Sequence, residues 1–201
     1  MRACNARDGS RKCFHDARGG RLRFAAAALL ALAAAAALAL ESSSLAPFSG
    51  ARPGDALYVT GPLGGSLLGH HLSFEPRVRE AESLTRQLGQ RLHAMIDITD
   101  GLSLDLWRLC TESKVGAVLD ERQLRDVISE DAKRAAATSG RTPLDHALTD
   151  GEDFELLMAV EGEAMETKFP LFRVGRITES ELTIARDGGN VELLIPRGYV
   201  H

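Results

Sequence analysis

The stretch Met95-Ile96-Asp97-Ile98-Thr99-Asp100-Gly101-Leu102 decides how the rest of the chain is read. Met95 to Thr99 alternates as a strand does, with Met95, Asp97 and Thr99 on one face and Ile96 and Ile98 on the other. Asp100-Gly101 ends that strand, and Leu102, Leu106, Leu109 and Cys110 then recur at helical spacing. Thr99 or Asp100 is placed to cap the helix by accepting a backbone N–H that has no partner within it. Two carboxylates and a hydroxyl therefore meet at a strand-to-helix corner, where free N–H groups and the helix dipole also favour anions. A hard divalent cation reconciles carboxylates with an anion site, because magnesium takes oxygen ligands and bridges to phosphate. A plain capping turn with one solvated aspartate satisfies the same spacing.

Two further stretches bear on that choice. Gly54-Asp55-Ala56-Leu57-Tyr58-Val59-Thr60-Gly61-Pro62-Leu63-Gly64-Gly65, continuing to Gly69, sets glycines between a strand and a helix. Such glycines let backbone approach a phosphate or let a helix pack closely on a sheet. The spacing is neither the dinucleotide fingerprint nor a Walker A loop, and no lysine follows, so a packing turn is the expectation. Asp150-Gly151-Glu152-Asp153-Phe154-Glu155-Leu156-Leu157 crowds four carboxylates before an apolar strand. They repel one another unless solvated or holding a cation. The calcium-binding helix-loop-helix spacing is absent. The histidines offer no nucleophile-and-base arrangement, and no serine stands in a nucleophile elbow.

The pattern of the remaining chain predicts an α+β domain with a mixed sheet covered by helices. Strands are expected at Ala56–Thr60, Gly116–Leu119, Phe154–Val160, Phe172–Ile177, Leu182–Ala185 and Val191–Ile195. Asp187-Gly188-Gly189-Asn190 is a hairpin connection between the last two. Helices are expected at Leu63–His71, Arg77–Leu92 and Leu102–Ser113, with a charged helix at Arg122–Thr138 whose apolar stripe is Leu124, Val127, Ile128 and Ala132.

Residues 1–23 form a basic, aperiodic leader for which disorder is expected. Phe24 to Leu40 is an Ala-rich apolar run behind Arg21 and Arg23. It has the pattern of a signal peptide and is short for a membrane span, so it stands as an export signal, a tether or a spurious leader. Residues 41–53 are expected to be a linker, and 54–201 the globular domain. Seven basic residues against two acidic ones give the leader a net charge of +5 within an overall −4, which leaves the body at −9. An acidic body excludes nucleic acid as a partner, and any phosphate it handles needs metal ions as intermediaries. Cys4, Cys13 and Cys110 form neither a metal pair nor a disulfide framework.

Taken in order, these stretches resemble the C-terminal domain of thiamine-monophosphate kinase, of the aminoimidazole ribonucleotide synthase and selenide water dikinase superfamily. The resemblance runs from Ser49-Gly50-Ala51-Arg52-Pro53-Gly54-Asp55 and Tyr58-Val59-Thr60-Gly61-x-Leu63-Gly64 through Phe74-x-Pro76-Arg77 and the corner Met95-Ile96-Asp97-Ile98-Thr99-Asp100-Gly101-Leu102-x-x-Asp105-Leu106. It continues through Gly151-Glu152-Asp153-Phe154-Glu155-Leu156-Leu157 and Gly175-Arg176-Ile177 to Gly198-Tyr199-x-His201. The resemblance implies magnesium-dependent phosphorylation of thiamine monophosphate by ATP in a cytoplasmic homodimer. By position, Asp97 and Asp100 would hold magnesium, Thr99 would touch ATP, and Glu152 and Tyr199 would lie at the thiamine phosphate. Asp150 stands where the family commonly has Gly, and Thr99 replaces the more usual Ser while keeping the hydroxyl.

The family's N-terminal domain supplies a Gly-Asp-Asp-Ala-type metal site, much of the ATP pocket and the main dimer contact, and residues 1–48 resemble none of it. The expectation is therefore a kinase fragment, inactive alone, that meets a complementary N-terminal domain. The alternative is a non-catalytic partner or cation- and nucleotide-binding module of the same fold, tethered to a membrane only if residues 24–40 insert.

Overall fold

The computed structural model describes residues 48–163 and 166–199. The leader 1–23, the apolar run 24–40 and the start of the linker, 41–47, lie outside the described residues, as does His201.

Seven strands form one sheet in the order β2-β4-β1-β5-β3-β6-β7. They are β1 (Ala56–Val59), β2 (Leu92–Asp97), β3 (Gly116–Asp120), β4 (Leu156–Val160), β5 (Phe172–Thr178), β6 (Leu182–Ala185) and β7 (Val191–Leu193). Only β3 and β6 pair in parallel; the other neighbours are antiparallel, so the sheet is mixed as expected. The helices are α1 (Val78–Leu88), α2 (Leu102–Ser113), α3 (Glu121–Leu124), α4 (Glu130–Ser139) and α5 (Pro143–Thr149).

The central strands are buried on both faces, and the alternation of their side chains divides the core in two. Leu57 and Val59 of β1 and Leu157 and Ala159 of β4 face α2 and α5, where Leu102, Leu106, Leu109, Ala147 and Leu148 cover them. Ala56 and Tyr58 of β1 and Leu156, Met158 and Val160 of β4 face the other way, against Leu84 and Leu88 of α1. Met95 packs with this second cluster and Ile96 with the first, as the alternation in β2 requires. Ala51, within the expected linker, is already part of the core, and the N–H groups of Gly50 and Ala51 both donate to Ser113 Oγ.

Three local expectations are corrected. The glycine-rich stretch after β1 forms two 3-10 turns, Ser66–Leu68 and His70–Leu72, in place of one helix. Gly64, Gly65 and Gly69 all have positive φ there, which interrupts any continuous helix. The charged helix expected over Arg122–Thr138 passes into a 3-10 turn at Arg125–Val127 and is broken at Ile128 and Ser129. Leu63 donates to Val127 O and accepts from Ser129 N–H, which draws Ile128 into an extended bridge. Ser129 then restarts the helix by accepting the Ala132 N–H on its hydroxyl. Finally, α5 was not anticipated. Its signal is present in Thr142-Pro143-Leu144-Asp145: a reciprocal capping box between Thr142 and Asp145, with proline in the first turn.

The Ser129 hydroxyl also donates to Gly64 O, tying this restart to the glycine-rich turn. Ser129→Ala is therefore expected to cost about 1–2 kcal/mol of stability, measured by urea unfolding.

Candidate functional site

The corner between β2 and α2 is organised by Asp105, which is wholly buried. Its Oδ2 accepts the backbone N–H groups of Thr99 and Asp100 at 2.9 Å and of Gly101 at 3.2 Å. The expected cap from Thr99 or Asp100 does not form. Gly101 occupies the capping position without a side chain, and a carboxylate one turn inside the helix reaches back to do the work. Asp105 Oδ1 accepts from Arg108 Nη1 at 2.7 Å, and the same nitrogen lies 2.5 Å from Asp100 Oδ2. Burial pushes the Asp105 pKa up, opposed by the backbone donors and by Arg108.

The acidic loop is stitched to this corner through backbone. Glu152 N–H donates to Thr99 O at 2.7 Å, Phe154 N–H to Ile98 O at 2.9 Å, and Ile98 N–H to Glu155 O at 2.7 Å. From the C-terminus, Tyr199 N–H donates to Asp100 O at 2.8 Å, and Ser103 Oγ donates to Arg197 O at 2.6 Å. Gly151 is needed for this approach: a Cβ there would sit 2.8 Å from Thr99 O, at a φ of 73°. Glu152 and Phe154 also hold left-handed backbone, at φ 54° and 53°. Non-glycine residues adopt it at a cost on the order of 1–3 kcal/mol each, so the surrounding bonds must enforce it.

The glycine-rich stretch closes the assembly from a third side. Gly64 N–H donates to Asp153 Oδ1 at 2.8 Å and Gly65 N–H to Asp150 Oδ2 at 3.0 Å, and Ser66 Oγ donates to Gly151 O. These N–H groups serve the loop carboxylates, which agrees with a packing turn. Glu155 accepts from Thr60 Oγ1 at 2.6 Å and from Arg77 Nη2 at 2.7 Å.

No protein-family model matches this chain. Thiamine-monophosphate kinase of Rhodopirellula baltica is 44% identical over 166 residues, covering 76% of this chain and 49% of that protein. This chain's C-terminal region is homologous to the thiamine-monophosphate kinases. A solved structure of AaThiL complexed with AMPPCP and TMP aligns at 27% identity with a TM-score of 0.57, covering 75% of this chain and 52% of that one. Hydrogenase maturation protein HypE in complex with ATP aligns with a TM-score of 0.59 at 18% identity, over 76% of this chain and 54% of that one, and shares the fold. The architecture is thus that of the aminoimidazole ribonucleotide synthase-like fold. The chain spans about half the length of the relatives it matches.

The five residues that the kinase resemblance singles out converge on the seam. Asp97 is exposed at the end of β2, and Thr99 and Glu152 are half-buried neighbours across one backbone bond. Asp100 and Tyr199 are neighbours across another, with Asp100 largely buried against Arg108 and Tyr199 exposed. Phe154 stacks on Phe74 with ring centroids 3.8 Å apart. The pair borders a groove of about 450 Å³ that also meets Met95, Arg77, Val78 and Asp97.

The family motif includes Asp105 but gives it no role, and Arg108 went unremarked in the sequence, yet these two residues support the corner. Sequence spacing also missed a hydrogen-bonded chain from Ser139 Oγ to His146 Nε2 and from His146 Nδ1 to Asp150, 2.7 Å each. The expectation that the histidines offer no nucleophile-and-base arrangement did not foresee this pairing of a hydroxyl, an imidazole and a carboxylate. Ser139 Oγ also accepts from Arg141 N–H, and Asp150 also holds Arg141 and Gly65, so these bonds fasten the end of α4 to the acidic loop.

Asp153 is 2% exposed, and its Oδ2 has no hydrogen-bond partner among the described residues. Burial, with Asp150 and Glu155 nearby, pushes its carboxyl up to about 8. With the folded pKa above the unfolded value, its contribution to stability is full below about pH 4 and is lost as pH rises through about 8. Asp153→Asn is therefore expected to unfold at higher urea than the wild type at pH 8.5. It should match the wild type near pH 4.5, flattening a slope of at most about 1.4 kcal/mol per pH unit.

Proposed function

We propose that residues 54–201 present the metal-binding and acceptor-binding half of a thiamine-monophosphate kinase site, in which ATP phosphorylates thiamine monophosphate to thiamine diphosphate. The observation that supports this most is the backbone seam that brings residues 97–100, 151–155 and 199 together. Those are the positions that the family resemblance gives to metal, nucleotide and acceptor. A bound ATP analogue and TMP in the AaThiL structure favour the same pair of substrates.

In this reading Asp97 and Asp100 hold magnesium, Thr99 touches ATP, and Glu152 and Tyr199 lie at the acceptor's phosphate. The donor set suits a hard cation: Asp97 offers solvent-facing carboxylate oxygens, and Asp100 already faces a positive charge on Arg108. Among the described residues no group of three or more His, Cys, Asp or Glu is placed to hold a metal, so water, phosphate and a second half of the site must complete the shell. Magnesium bound there supplies charge neutralisation for the phosphate oxygens.

The chain's own contribution is positioning. Asp105 fixes the Thr99 and Asp100 backbone, and the Glu152 and Tyr199 N–H groups lock the acceptor-side residues to the same two carbonyls. The partner is a complementary domain with its own carboxylates, within a homodimer. Use of ATP assigns the protein to the cytoplasm. Among the described residues no helix is long and apolar enough to cross a membrane, and Phe24–Leu40 lies outside them.

The test combines the full chain with the half of the Rhodopirellula baltica kinase that it does not match, and follows thiamine diphosphate formation with ATP and magnesium. The mixture is expected to be active and either part alone inactive. Asp97→Asn should lower the rate on the order of 10²-fold or more. Turnover by this chain alone, or an active mixture indifferent to both Asp97→Asn and Asp100→Asn, would overturn the proposal.

A further inference from the structure

We propose that the Arg108 guanidinium is a resident counter-ion on the Asp100 carboxylate, one that a divalent cation must displace, so that Arg108 sets the metal affinity of this corner. The proposal rests on the metal reading of Asp97 and Asp100 given above. Three features of the corner support it.

The first is the sharing of one nitrogen. Arg108 Nη1 reaches both Asp100 Oδ2 and Asp105 Oδ1 at ion-pair distance. Asp105 is immobile, because its other oxygen takes three backbone N–H groups and it has no exposed surface. Arg108 is thus anchored from below by Asp105 and lends its remaining charge to Asp100. If it surrenders Asp100, it keeps the Asp105 pair, so displacement breaks one ion pair and not two.

The second is access. The Arg108 side chain is 39% exposed whereas the Asp100 side chain is only 11% exposed, so the guanidinium is the member of the pair that can move out into water. A half-exposed guanidinium regains hydration when it leaves, and a small divalent ion binds the carboxylate oxygens directly in its place. The third is charge balance. Asp97, Asp100 and Asp105 against Arg108 leave two formal negative charges at the corner, the deficit that one divalent ion cancels. A cation on Asp100 also repels the guanidinium that stood there, so the two compete for the same carboxylate.

The test is a titration of the full chain with Mn2+, counting free ion by electron paramagnetic resonance, with folding checked by far-ultraviolet circular dichroism. The variants are R108Q, which keeps a donor for Asp105 without the charge, R108M, D100N and the double variant R108Q/D100N. R108Q and R108M should bind Mn2+ about tenfold more tightly than the wild type, equivalent to about 1.4 kcal/mol. Adding D100N should erase that gain. If R108M fails to fold, R108Q decides alone. Folded R108Q that binds Mn2+ within about twofold of the wild type would overturn the counter-ion role while leaving the metal reading intact. Absence of Mn2+ binding in the wild type and in both folded Arg108 variants would overturn both.

Discussion

A carboxylate with no access to water holds three backbone N–H groups, two of them buried and that of Thr99 partly so, and the rest of this domain is arranged around that exchange. An orphaned buried N–H costs about 1–3 kcal/mol, and an uncompensated buried carboxylate costs several. Asp105 against Thr99, Asp100 and Gly101 cancels both penalties at one point. Its place in the first turn of α2 adds the favourable end of the helix dipole. The corner is therefore stiff for a local reason, before any tertiary contact is counted. Its stiffness passes outward through Thr99 O and Asp100 O, the carbonyls that receive Glu152 and Tyr199.

That transmission explains how the acidic loop tolerates its own backbone. Gly151, Glu152 and Phe154 all stand at positive φ, and two of the three carry a Cβ. Nothing in the loop sequence favours such a run. Thr99 O and Ile98 O, which accept from the loop, and Ile98 N–H, which donates to Glu155 O, fix the path from one side, and Gly64 and Gly65 fix it from the other. The C-terminus meets the corner just as closely: a Cβ on Gly198 would fall 2.3 Å from Asp100 O. Glycine at 151 and 198 is thus a requirement of close approach to the same two-residue stretch.

What could be read in the chain follows the range of the interactions involved. Alternation in Met95–Thr99 and the helical spacing of Leu102, Leu106 and Leu109 are local signals, and the strand and helix form where those residues stand. The hairpin at Asp187–Asn190 is equally local, closed by Arg186 N–H to Asn190 O. The break near Ser129 was not legible, because it depends on Leu63, distant in sequence, pairing with Val127 and Ser129. The sheet order was not legible either, since β2 pairs with β4 across the whole helical middle of the chain. The candidate corner was partly legible: motif positions drew attention to Asp97, Thr99, Asp100, Glu152 and Tyr199, and they included Asp105, but the bonds that Asp105 and Arg108 make there depend on geometry that spacing does not encode.

Burial then sorts the acidic residues into two populations that composition alone merges. Asp105, Asp150, Asp153 and Glu155 are all turned inward or nearly so, and each spends at least one oxygen on an N–H, a hydroxyl or an arginine. Their crowding in sequence suggests a cation cluster, yet their oxygens hold the loop, the glycine turn and the corner together. Asp97 and Glu152 keep solvent-facing surface, and Asp100 lies between the populations with its carboxylate on an exchangeable guanidinium. An oxygen committed to a buried N–H is unavailable to a ligand without the cost of orphaning that donor. The charge that this corner has free to offer a ligand is therefore much smaller than its acidic sequence implies. That smaller charge suits the proposed phosphate chemistry, because an excess of fixed carboxylates would repel phosphate oxygens.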